Sequence, residues 1–172
     1  MANNPKDRDR GPAAFLPATP EPFTYDADGN VTHDSEWDYT WDAENRLVLM
    51  EHRSEVVGTG MLANADKRRI EFRYDYQSRR VRKTVYGGWN GTSFNAIPLS
   101  DTKYLYDGWN LVAEFSVGGE GALTLARSYT WGLDLIGALT ASGGVGALLQ
   151  IHDHAAGKTL LPAYDGNGNV VA

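Results

Sequence analysis

The feature that most constrains this chain is a short pattern that recurs along it. An aromatic residue is followed by aspartate, two variable residues, a Gly or Asn, a polar residue and an aliphatic. It is read at Tyr25-Asp26-Ala27-Asp28-Gly29-Asn30-Val31, at Trp41-Asp42-Ala43-Glu44-Asn45-Arg46-Leu47, and at Tyr164-Asp165-Gly166-Asn167-Gly168-Asn169-Val170. A less regular copy is Tyr74-Asp75-Tyr76-Gln77-Ser78-Arg79-Arg80-Val81, a shortened one Tyr106-Asp107-Gly108-Trp109-Asn110-Leu111, and a degenerate one Trp131-Gly132-Leu133-Asp134-Leu135. The anchors Tyr25, Trp41, Tyr74, Tyr106, Trp131 and Tyr164 stand 16, 33, 32, 25 and 33 residues apart. Three gaps of 32–33 and one of half that mark an internal repeat.

A second aromatic precedes the anchor by two positions, at Phe23, Tyr39, Phe72, Tyr104 and Tyr129. A spacing of two puts both rings on the same face of a strand. Each copy therefore reads as a β-hairpin. The aromatic pair ends the incoming strand on its buried face, and the aspartate accepts backbone hydrogen bonds from two residues on, starting the turn. Gly29, Asn45 or Gly168 takes the left-handed conformation that a Cβ normally penalises. Val31, Leu47, Leu111 or Val170 starts the outgoing strand. Strands are expected near 22–26, 30–34, 37–42, 46–53, 69–76, 80–87, 102–107, 110–117, 122–131 and 147–152. Ile70, Phe72, Tyr74 and Tyr76 alternate with Arg69, Glu71, Arg73 and Asp75, as in a half-buried antiparallel strand. No stretch has a helical period, and Val56–Arg68 reads as a loop or a short helix at most.

The fold class is thus all-β, built of consecutive antiparallel hairpins. The 19 glycines and the Tyr and Trp content agree with many short strands joined by tight turns. Residues 1–22, with their prolines, read as a flexible leader without the apolar run of a signal peptide, and 23–172 as the repeat-bearing sheet. No run of about 20 apolar residues is present; the nearest candidate for a membrane span, Gly132–Ile151, is Gly-rich and carries Asp134. A net charge of −6 argues against nucleic acid and anionic lipid as partners. The absence of cysteine excludes disulfides and thiolate chemistry.

The repeated copies resemble the YD repeats of the Rhs family, named for the Tyr-Asp pair, over residues 23–172. Tyr129-Thr130-Trp131-Gly132-Leu133-Asp134-Leu135, the run Ser142–Leu149 and Pro162–Val170 are similar to segments of large bacterial Rhs proteins. The resemblance implies a long spiralling β-sheet that forms a hollow shell around a C-terminal toxic domain, released inside a target cell. Similar shells occur in insecticidal toxin complexes and in animal teneurins. The shell is a container without toxic activity of its own, and the association implies export or a cell-surface location. The family's Asp-Pro- and Gly-rich core segment, where autoproteolysis occurs, and the cargo after it do not follow Val170 here. The expectation is a fragment, a truncated product or a deliberately cut chain.

Other candidate chemistry is weaker. Asp26–Asn30 and Asp165–Asn169 space oxygen ligands as calcium loops do. The Gly at the sixth position and the Glu at the twelfth that an EF-hand requires are missing, which favours a plain turn. His152 and His154 fall on one face of a strand and form half of a zinc site at most, with no evident third ligand. Half of the sixteen Lys and Arg lie between Lys67 and Lys83, interleaved with Phe72, Tyr74 and Tyr76. A nucleic-acid surface is conceivable there, but a solvent face that blocks edge pairing fits the acidic chain better. Trp89 and Trp109, beside Gly and Asn, are either turn-packing rings or platforms for sugar stacking. No nucleophile elbow or phosphate loop is present.

The expectation is a structural, non-enzymatic repeat segment without catalytic residue, cofactor or metal. Its open sheet edges associate with other copies or with further repeats, and an encapsulated toxin domain belongs to a longer protein. A glycan- or protein-binding adhesion module using the Trp and Tyr surface is the alternative.

Overall fold

The computed structural model describes residues 19–53, 62–133, 137 and 147–171. Among them are eleven strands: β1 (Thr24–Tyr25), β2 (Val31–His33), β3 (Trp37–Trp41), β4 (Leu47–His52), β5 (Arg69–Tyr74), β6 (Arg80–Tyr86), β7 (Ser100–Asp107), β8 (Asn110–Val117), β9 (Leu123–Trp131), β10 (Leu148–Asp153) and β11 (Lys158–Leu160). They hydrogen-bond in sequence order from β1 to β11 in one sheet, so each strand pairs with its chain neighbours and no connection crosses over. From β1 to β5 and from β7 to β11 the neighbouring strands pair antiparallel, as the consecutive hairpins of the repeat pattern imply.

The chain gathers into two compact units. One holds the described residues up to Glu71 together with Val85–Leu99, the other Phe72–Thr84 with Ser100 onward. In the first, His33 pairs with Asp38, Trp37 with His52 and Glu51 with Arg69. In the second, Tyr104, Glu114, Arg127 and Asp153 stand opposite one another in turn across β7 to β10, and Ile151 pairs with Leu160. The register shifts at Thr24/Tyr25, Thr40/Trp41, Leu105/Tyr106, Glu114/Phe115 and Leu148/Gln150. These are bulges or local irregularities, and the first three fall at repeat anchors.

The strands lie close to their expected positions. The expected strand 22–26 is reduced to Thr24–Tyr25, and β11, short and polar, was not expected. Of the expected loop 56–68, residues 56–61 fall outside the described residues, and the rest turns through Ala63–Asp66, where Asp66 N donates to the Ala63 carbonyl at 2.9 Å. Among the described residues no helix is long and apolar enough to cross a membrane.

Burial follows the aromatic period. Trp37, Tyr39 and Trp41 on β3, Tyr104 and Tyr106 on β7, and Tyr129 and Trp131 on β9 are half-buried, while Asp38, Thr40, Leu105 and Thr130 between them are exposed. Ala113 and Ala147 are the buried apolar residues among those described, whereas Leu105, Leu123, Leu149 and Leu160 are each more than half exposed.

Candidate functional site

The repeat turns share one geometry. In the copies at Asp26, Asp42, Asp75 and Asp165, the aspartate N donates to the carbonyl of the fourth residue on, at 2.9–3.0 Å, and the third residue's N donates back to the aspartate carbonyl at 3.0–3.2 Å. The aspartate Oδ1 accepts from the backbone N of the second and fourth residues at 2.8–3.0 Å. The third residue has positive φ in every copy: Gly29 at 88°, Asn45 at 57°, Ser78 at 62° and Gly168 at 80°. This is the three-residue hairpin loop with a left-handed bulge residue, its first corner bound by the aspartate.

The fourth residue adds a contact that the sequence reading missed. Asn30 Nδ2, Arg46 Nε, Arg79 Nε and Asn169 Nδ2 each donate to Oδ2 of their aspartate at 2.8–3.0 Å. The signal was in the sequence, since each of these positions carries a side chain with an N–H to give. At Asp26 and Asp165 these side-chain bonds from Asn30 and Asn169 are the largest cause holding the carboxyl below its ordinary range. At Asp42 and Asp75 desolvation pushes the other way, but the bonds from Arg46 and Arg79 outweigh it. The carboxylates are thus committed to the turn, with their oxygens facing its own N–H groups.

Asp107 departs from this pattern. It pairs with Asn110 across a two-residue loop in which Gly108 has φ 57°. Positive φ at the first central residue is what a type II′ hairpin requires. The Arg79 guanidinium donates to the Gly108 carbonyl. The degenerate copy keeps Trp131, while its Asp134 lies outside the described residues.

The anchor rings tie one repeat to the one before it. Trp41 Nε1 donates to the Val31 carbonyl at 2.8 Å, and Val31 is the residue opposite Tyr25. Trp131 Nε1 reaches the Leu111 carbonyl at 2.7 Å, opposite Tyr106. Tyr164 Oη reaches the Leu148 carbonyl at 2.6 Å, opposite Trp131. Tyr106 Oη donates to the carbonyl of Arg80, the first residue of β6, at 3.0 Å. A Trp and a Tyr each carry an apolar body and a polar tip, which this position requires.

The upstream aromatics are also engaged. Tyr39 Oη donates to Asp34 at 2.7 Å and Tyr129 Oη to Glu114 at 2.6 Å. Burial, then these carboxylates, push both phenols well above their ordinary value. The Arg80 guanidinium lies over the rings of both Phe72 and Tyr104, at 5.5 and 5.4 Å.

The basic run is largely absorbed within the sheet. Lys67 is buried with its Nζ 5.5 Å from the Trp89 ring. Arg69 meets Glu71 at 2.8 Å, and Arg82 grips the buried Asp101 with both Nε and Nη2. His152 and His154 have their rings 4.6 Å apart, and each bonds a hydroxyl, Thr159 and Ser128 respectively, at 3.0 Å. Among the described residues no group of three metal-ligating side chains converges. Of the two exposed-Trp candidates, Trp109 is 64% exposed, whereas Trp89 is half-buried and packs on Phe94 with the ring planes tilted by 52°.

His52 is 7% exposed and lies stacked on Trp37 at 3.6 Å. Its Nδ1 accepts from Arg68 N at 2.6 Å, and its Nε2 meets Glu36 Oε1 at 3.1 Å. Burial, then Arg68 and Lys67, push the imidazole down to about 4. The Glu36 contact is therefore a hydrogen bond from a neutral ring rather than an ion pair.

No family model matches the chain. It is 29% identical over 152 residues to the tRNA3(Ser)-specific nuclease WapA of Bacillus spizizenii, a match that takes in 88% of this chain and 5% of that protein. It is 31% identical over 112 residues to the tRNA nuclease WapA of Bacillus subtilis strain 168 and to the tRNA(Glu)-specific nuclease WapA of Bacillus subtilis subsp. natto, in each case 65% of this chain and 4% of the relative. The chain is thus distantly similar, across most of its length, to about a twentieth of a much larger bacterial protein.

Proposed function

We propose that this chain is a structural, non-enzymatic YD-repeat segment whose role is to build a sheet. In that reading it forms part of a spiralling shell or surface scaffold belonging to a larger exported protein. The observation that carries the proposal is the anchor bond. Trp41, Tyr106, Trp131 and Tyr164 each fasten their hairpin to the hairpin before, so the unit of construction is the repeat joined to its neighbour. Repeats of this kind cover one another's apolar surface, and none closes a core alone. The small share of each WapA protein that the chain matches fits one segment of a long array. The nuclease activity in the relatives' names is not assigned to it; a domain of that kind is what such a shell would enclose.

Self-association, or docking of further repeats, at the sheet edges belongs to the same reading, because an open edge presents unpaired backbone groups. Light scattering with negative-stain imaging of the purified chain tests it. Concentration-dependent rings, tubes or filaments are expected. A monodisperse monomer at high concentration overturns the associating edge.

A further inference from the structure

Two kinds of contact join one hairpin to the next within each unit. The first is the anchor bond, in which the polar tip of the later copy donates to a backbone carbonyl of the earlier one. For Trp41, Trp131 and Tyr164 that carbonyl belongs to the residue opposite the earlier anchor. The second runs the other way, from turn to turn. Asn30, the fourth residue on from its aspartate, donates through Nδ2 to Asn45 Oδ1 of the next turn at 2.8 Å. Arg79, in the same position of its own turn, donates through its guanidinium to the Gly108 carbonyl of the next. Both acceptors belong to a residue of positive φ.

The copy at Tyr25 and the copy at Tyr164 each hold one half of such a junction unused. Phe23 and Tyr25 are 47% and 60% exposed, whereas the anchors Trp41, Tyr106, Trp131 and Tyr164 are half-buried. The Tyr25 hydroxyl has no hydrogen-bond partner among the described residues. The turn after it is open as well, since nothing lies within 4 Å of where a Cβ on Gly29 would stand.

The complementary half is at Val170. It is 58% exposed, where the equivalent Val31, Leu47 and Leu111 are half-buried. Val170 stands opposite Tyr164, as Val31 stands opposite Tyr25. Asp165 N donates to the Asn169 carbonyl at 3.0 Å and Val171 N to the Ala163 carbonyl at 2.8 Å. Tyr164 and Val170 are therefore a pair whose own N–H and C=O groups point away from each other, toward the edges. The Val170 carbonyl thus holds the place that the Val31 carbonyl holds for Trp41. Beside it, Asn169 gives one Nδ2 hydrogen to Asp165 and has a second to give.

We infer that a second copy of this chain docks head to tail on the first. The Tyr25 hydroxyl of one copy donates to the Val170 carbonyl of the other, and Asn169 of that other copy donates to the Gly29 carbonyl. The inference rests on the self-association proposed above and gives it a direction and a register. The occupant is a second copy because the donor edge and the acceptor edge are carried by the same chain, and each matches what its internal junctions use. Pairing like edges would set ring against ring or carbonyl against carbonyl. The contact is heterologous, so every joined pair keeps a free Tyr25 edge and a free Val170 edge for further growth.

Tyr25→Lys and Val170→Lys each place a charge on one edge, which blocks pairing there. Light scattering over a concentration series, on the unaltered chain, on each variant alone and on their equal mixture, tests the inference. The unaltered chain is expected to grow with concentration and each variant alone to stay a monomer. The mixture is expected to form pairs and nothing longer, since only the intact Val170 edge of one variant meets the intact Tyr25 edge of the other. Tyr25→Phe keeps the ring, removes the donor and should weaken association about two- to tenfold. Should either charged variant lose the β-sheet signal in circular dichroism, Tyr25→Phe decides. A variant that still pairs by itself, a mixture that stays monomeric while the unaltered chain associates, or association indifferent to Tyr25→Phe overturns this junction and leaves an associating edge standing. A monomeric unaltered chain overturns both.

Discussion

Trp131 Nε1 donates to the carbonyl of Leu111 at 2.7 Å, and Leu111 is the residue paired with Tyr106, the anchor of the preceding copy. One indole thus reads the register of its own hairpin against the last. The same relation joins Trp41 to Val31, opposite Tyr25, and Tyr164 to Leu148, opposite Trp131.

The clean test of this bond is Tyr106→Phe, which removes only the hydroxyl from the Arg80 carbonyl. Loss of one such bond lowers stability by about 0.5–1 kcal/mol, because the freed carbonyl recovers part of the loss from water. Urea unfolding of the two proteins measures it. An unchanged midpoint would remove the bond from the account of how repeats are joined.

At the turns, Asp42→Ala removes the acceptor of Glu44 N, Arg46 N and Arg46 Nε together. Asp42→Asn keeps one oxygen for the backbone. The midpoint is expected to fall for Ala and to fall less for Asn, and faster amide exchange at Glu44 and Arg46 should report the same order. Equal effects of the two variants would mean that the backbone, with Asn45 in its left-handed conformation, holds the turn without the carboxylate.

His52 makes the first unit acid-sensitive. Its pKa falls from 6.5 to about 4 on folding, so the unfolded chain binds the proton more tightly. The stability it contributes is present above about 6.5 and is lost as pH falls toward 4, on the order of 2 kcal/mol. Glu36, raised above 4.5 by burial and by Asp34, has the opposite sign and offsets part of the loss at the low end. Denaturation at pH 7, 6 and 5 should give falling midpoints, and His52→Gln should flatten the slope. A flat profile in the unmodified chain would contradict a buried neutral imidazole.

Asp101 is 8% exposed and is held by Arg82 and by Thr84 Oγ1 at 3.3 Å. The Arg82 side-chain bond, more than its charge, holds the Asp101 carboxyl below its usual range. Asp101→Ala leaves a guanidinium without its carboxylate on the sheet. The loss is about 2 kcal/mol, less than for a fully buried pair because Arg82 keeps contact with water. Asp101→Ala should therefore lower thermal stability more than Lys103→Ala on the same strand, and a reversed order would count against the pair.

The hairpins were legible because their determinants lie within five residues. At Asp26, Asp42 and Asp165 the aspartate, the Gly or Asn with positive φ and the following aliphatic are local chemistry, and the chain bends there whatever surrounds it. Ser78, with φ 62°, was not legible, since its left-handed conformation is imposed by the turn on a residue that does not favour it. Strand β11 escaped notice because Lys158–Leu160 has no apolar alternation and is defined by pairing with Ile151–Asp153.

The sequence by itself determined the period, the turn positions and the face on which Tyr39 and Trp41, Tyr104 and Tyr106, and Tyr129 and Trp131 lie, because alternation and turn chemistry act between near neighbours. Tertiary structure alone decided where the polar tips of the anchor rings go, that Lys67 is buried beside Trp89, and that Asp38, Glu51 and Arg69 form one row across β3 to β5. Those contacts depend on which strand stands beside which and in what register. That is a property of the whole sheet, and no window of the sequence contains it.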